Sequence, residues 1–167
     1  MTISMHTLTV GTFTRMLTNL QRILEKAEAN AAERKIGPEV LAGSRLAPDM
    51  HPLTFQIQSA TDRSKFALSR ITGKVAPSWA DDEKTLEQLR ARLQKGLDYL
   101  ATFSAAELDG TEDKVLTIKI GGQDTEVKAQ DYILNSVFPN FYFHCTTAYA
   151  ILRHNGVPIG KRDFTGS

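Results

Sequence analysis

Cysteine is almost missing from this chain: Cys145 is the single one in 167 residues, which excludes an intrachain disulfide and any cysteine-rich metal site. Its neighbours are apolar, so an inert buried thiol is the expected state rather than a nucleophile. A surplus of one charge sign is also missing. Twenty basic residues face nineteen acidic ones, a net charge of +1, so the electrostatic footprint of a nucleic-acid binder is absent and no nucleic-acid partner is expected. The most apolar stretch, Val137 to Leu152, is broken by Pro139, Asn140, His144, Thr146 and Thr147, too short and too polar to span a bilayer. The opening residues, Met1 to His6, lack the basic flank and apolar run of an export signal, so a cytoplasmic location is expected. There is no glycine-rich phosphate loop, internal repeat or low-complexity tract.

What is present is an ordinary globular composition, 41% hydrophobic and 23% charged, long enough to bury a core without covalent staples. A single domain over residues 1–167 is the expectation. Phe13, Met16, Leu17, Leu20, Ile23, Leu24 and Ala27 recur at three- and four-residue steps and predict an amphipathic helix that ends before Gly37-Pro38. Pro52 suits the first turn of a second helix, with a buried stripe of Leu53, Ile57, Thr61, Ser64 and Leu68 and a stop at Gly73. Leu86, Leu89, Leu93, Leu97, Leu100 and Phe103 mark a third helix. Its other face, Glu83, Lys84, Glu87, Arg90, Arg92 and Lys95, reads as a solvated surface.

From Val115 the period changes to two: Leu116, Ile118 and Ile120 alternate with polar residues, and Gly121-Gly122 leads to Thr125 and Val127. That is a hairpin signal, and two strands need a packing partner to persist. A last helix is predicted from about Gln130 to Asn155, with Arg153 and His154 placed against its negative end. Pro139 falls inside it and should free the Asn135 carbonyl and bend the axis. The fold class is therefore all-α: a four-helix bundle with a small β-hairpin inserted before the last helix.

The last helix is apolar nearly all round. One stripe holds Val137, Phe141, His144, Ala148 and Ile151; a second holds Phe138, Tyr142, Cys145, Tyr149 and Leu152. The second stripe is more than one bundle needs from one member, which predicts a homodimer through this helix unless the tail, Val157 to Ser167, folds back over it.

The helix order and the terminal run Leu152-Arg153-His154-Asn155-Gly156 resemble the DinB/YfiT-like helical-bundle superfamily. The segment Phe138-Pro139-Asn140-Phe141-Tyr142-Phe143-His144, followed by Thr147 to Gly156 and Gly160-Lys161-Arg162-Asp163-Phe164, resembles a bacterial domain-of-unknown-function branch of it over nearly the whole chain. The resemblance implies a divalent metal held by three histidines, one on the second helix and a pair four residues apart on the last. That spacing puts two imidazoles on one helical face. Here the second position of the pair is His144, and the first is Asn140, a poor ligand for zinc or nickel.

The second-helix position is open among His51, Gln58 and Asp62. His144, Asn140, His51, Gln58 and Asp62 are the candidate polar pocket, with His144 and then His51 as metal ligands. A core histidine satisfied by Asn140, a threonine or a freed carbonyl is the plainer reading of His144. No tightly held cofactor is expected, at most a weakly bound zinc or nickel ion. The function expected is a non-catalytic or degenerate-site dimer that binds a small molecule or a partner. The alternative implied by the superfamily is a metal-dependent thiol transferase or isomerase. The residues name no substrate.

Overall fold

A computed structural model describes residues 3–166. Helix α1, Thr12–Glu33, continues from a π-turn at Thr7–Gly11 and buries Phe13, Leu17, Leu20, Ile23, Leu24 and Ala27, the face read from their spacing. A short helix, α2, Pro38–Ala42, leads to α3, Leu53–Thr72, which begins after extended Pro52 and closes at Gly73 with φ 81°. Helix α4, Leu86–Leu100, starts from a capping box: the Thr85 hydroxyl accepts from Gln88 N, and Gln88 Oε1 accepts from Thr85 N. After the short α5, Ala105–Leu108, strands β1, Val115–Ile120, and β2, Gln123–Lys128, pair antiparallel with Val115 opposite Lys128. Gly121 and Gly122, at φ 58° and 85°, make the tight turn that only left-handed backbone allows.

The last helical run is composite: α6, Ala129–Tyr132, a π-turn at Ile133–Val137, and α7, Phe138–His154, with Pro139 in its first turn. Proline therefore does not interrupt a regular helix. The turn before it widens, Phe138 N donating to the Ile133 carbonyl five residues back, and Asn140 Nδ2 donates to the Ser136 carbonyl at 2.8 Å.

α1 packs on α4, and α3 packs on both α4 and α7, so the four long helical segments enclose one connected apolar core. The approach of α4 is close at Gly96, where a Cβ would stand 3.2 Å from Thr61 Cγ2 and 3.4 Å from Leu17 Cδ1. The architecture is the all-α bundle with an inserted hairpin expected from the sequence. Among the described residues no helix is long and apolar enough to cross a membrane.

Two expectations need correction. The second stripe of the last helix is a free surface only in part: Cys145 and Leu152 are buried within the chain, and Tyr149 packs edge-on against Phe164 at 5.7 Å. Phe164 belongs to α8, Lys161–Thr165, which lies on α1 and is held there by the Asn19 side chain donating to the Phe164 carbonyl. The tail folds back over Tyr149, while Tyr142 of the same stripe stays 38% exposed.

Arg92 is not part of a solvated face. Its side chain is fully buried, with Nη2 3.0 Å from Asp62, Nη1 2.6 Å from Asp81 and 3.3 Å from Glu83, and Nε donating to Thr61. It is one residue before Leu93 in the core stripe, so it enters the bundle beside that stripe rather than opposite it. The carboxylates of Asp81 and Glu83 come from the irregular segment 73–85, which this arginine fastens to α3 and α4. The indole of Trp79, in the same segment, receives Arg92 at 4.3 Å and the buried ammonium of Lys65 at 3.9 Å from its ring centre.

Candidate functional site

The five candidate residues separate into two groups. The first is centred on His144, which α7 turns inward against α3. Its Nδ1 is 2.9 Å from Gln56 Oε1, and Gln56 Nε2 in turn donates to the His51 carbonyl at 3.1 Å. Because the glutamine amide nitrogen is committed to that carbonyl, its oxygen faces the imidazole, so His144 carries its proton on Nδ1. Burial, with added repulsion from Arg63 and His51, lowers the His144 pKa from its ordinary 6.5 to about 4. It is a neutral imidazole at physiological pH.

His51 itself is exposed at the start of α3, its ring stacked on Phe55 at 3.9 Å, while Phe55 meets His144 edge-on at 6.0 Å. Asn140 is exposed, its amide turned back to the Ser136 carbonyl, so it does not face the bundle interior beside His144. That is a further correction, and its cause is the carbonyl made available by the irregular turn before Pro139.

Gln58 and Asp62 belong to the other group. Gln58 donates to Glu83 at 2.8 Å, and Asp62 is shared between Arg92 and Lys65 at 3.0 and 2.8 Å. Gln58 holds the 73–85 segment directly and Asp62 holds the arginine that fastens it, and neither converges on His144. Spacing on α3 distinguishes the two: Gln56 lies on the face toward α7, and Gln58 and Asp62 on the side toward α4. Gln56 was missed in the sequence because a glutamine at a buried helical position carries no motif.

The donor set does not fit the metal implied by the resemblance. Gln56 occupies one nitrogen of His144, Asn140 is turned away, and His51 is stacked on an aromatic ring. Among the described residues no group of three or more histidine, cysteine, aspartate or glutamate side chains is placed to hold an ion, where a zinc site takes three or four protein donors. Cys145 offers no nucleophile, since it is buried and its burial pushes the thiol far above the ordinary range.

Residues 5–165 match the profile of a domain of unknown function, DUF1993. The chain belongs to the DUF1993 family. The DUF1993 chain is also similar to a crystal structure of a DinB family member protein from Shewanella denitrificans, with a TM-score of 0.90 and 41% sequence identity over 97% of this chain and 92% of that one. No curated protein matches this DUF1993 chain.

Proposed function

We propose that this DUF1993 protein is a non-catalytic, degenerate-site member of the DinB-like bundles that binds a small molecule or a partner and works as a homodimer. The observation that carries the first part is the His144 to Gln56 hydrogen bond: the second-helix residue that meets the last-helix histidine is an amide, not an imidazole. A neutral glutamine and a single histidine supply too few donors to activate a thiol or polarise a carbonyl through an ion. Elemental analysis of protein purified without a metal-affinity step tests this. Metal far below one ion per chain is the expected result; a stoichiometric ion would favour the thiol transferase or isomerase alternative.

The dimer reading rests on the part of α7 that the tail leaves open, Tyr142 of the second stripe with its neighbours. Phe143 is 56% exposed and Tyr142 38%, and with Leu46, Thr146, Thr147 and Ala150 they line a shallow apolar depression of about 370 Å³ along α7. A self-complementary contact across a twofold axis would remove these rings from water.

A further inference from the structure

We infer that the groove between α3, the hairpin and the last helical run is a binding site for a small organic oxyanion, a carboxylate or phosphate carried on a short apolar body. The inference deepens the proposed function by naming the class of its small molecule. Two adjoining depressions of about 440 and 270 Å³ share three lining residues, Arg63, Arg70 and Tyr132. The arginines are seven residues apart on α3, two turns along one face, so both reach the same groove.

Both guanidiniums are exposed at the groove, and neither forms an ion pair with a carboxylate of the chain among the described residues. Among the described residues Arg63 makes no hydrogen bond or ion pair, and Arg70 makes only a 2.7 Å hydrogen bond to the Tyr132 hydroxyl. The acids lining the groove are already engaged: Asp62 by Arg92 and Lys65, and Asp124 by Lys119 at 3.3 Å. Two guanidiniums thus face one cleft with neither paired to a carboxylate, which leaves donors of both open to an anion.

Arg70 is pre-oriented. Its guanidinium lies 5.3 Å from the Tyr132 ring centre and spends one N–H on the phenol, leaving its other donors for an oxyanion. Apolar side chains complete the lining, Ile118 and Val137 in one depression and the half-exposed Phe66 in the other, which suits an organic body better than a bare ion. Arg63 also adds to the field that keeps His144 neutral, so the groove and the histidine share an electrostatic neighbourhood.

Titration calorimetry of the whole chain with phenyl phosphate, benzoate and inorganic phosphate tests the site, with Arg63→Gln, Arg70→Gln and the remote exposed Arg153→Gln as variants. The expected result is saturable binding of phenyl phosphate or benzoate, tighter than that of inorganic phosphate. It should weaken about tenfold or more in each groove variant and stay unchanged in Arg153→Gln, as loss of one charge-assisted hydrogen bond requires. Folding of Arg70→Gln is checked by its thermal transition, and Arg63→Gln removes no intramolecular bond. Absence of saturable binding up to about 10 mM, binding that survives either groove substitution, or equal affinity for inorganic phosphate would overturn the inference. Metal content does not enter this readout, so a failed titration leaves the histidine reading standing, and a stoichiometric metal would sink that reading without touching this one.

Discussion

Gln56 of α3 and His144 of α7 meet across a 2.9 Å hydrogen bond inside the bundle, and the histidine that the superfamily would give to an ion instead joins two helices of the core. Its pKa, brought down to about 4 from 6.5, means that the unfolded chain takes up a proton between these values that the folded chain refuses. Stability is therefore full above pH 6.5 and falls as the pH drops toward 4. Allowing for solvent near the ring, the loss is about 2 kcal/mol. Urea unfolding at pH 7 and pH 4 should show wild type losing about that much more than His144→Gln, in which nothing titrates at this position; parallel losses would contradict the burial argument.

Among the described residues Arg92 is the only fully buried charge that serves three carboxylates, two of them on the 73–85 segment. Arg92→Met should cost about 3 kcal/mol, because the acids that remain are left without their cation. The cost is moderated by the water that Asp81 retains. Asp81 also holds a left-handed φ of 55°, a conformation that the ion pair stabilises. Trp79 is the sole tryptophan and stacks on Arg92, so release of the segment should shift its emission to longer wavelength before global unfolding. Unchanged emission in Arg92→Met would show that the segment is held by other contacts.

If the exposed edge of α7 closes a homodimer, light scattering coupled to size exclusion should give twice the chain mass of 18.5 kDa at micromolar concentration. Phe143→Glu, at a residue 56% exposed in the single chain, should return the monomer with its helix signal intact. A wild-type monomer would remove the dimer from the account.

The helices and hairpin were legible because burial imposes a period: Leu53, Ile57, Thr61, Ser64 and Leu68 are all buried, as their spacing on α3 requires. Gly73 and Gly121-Gly122 mark their turns through positive φ, which sequence reading handles well. The site was less legible, because hydrogen-bond partners distant in sequence leave no periodic trace. His144 was found through the resemblance, yet its partner lies 88 residues away at a glutamine without a motif. Arg92 was misread for a related reason: a charged residue on a helix is solvated by default, and only the acids of a distant irregular segment make its burial affordable. On the second stripe of α7 the tail reaches Tyr149 through Phe164 and leaves Tyr142 exposed, a division that spacing along one helix does not show.

The central claim, that His144 is a core hydrogen-bonding residue and not a metal ligand, is tested most directly by titration calorimetry with zinc and nickel on wild type, His144→Ala and the double variant Gln56→His, Asn140→His. The account predicts no binding tighter than about 0.1 mM in wild type, no change in His144→Ala, and a gain of affinity only when the two missing imidazoles are supplied. Tight, stoichiometric binding by wild type that His144→Ala abolishes would contradict it.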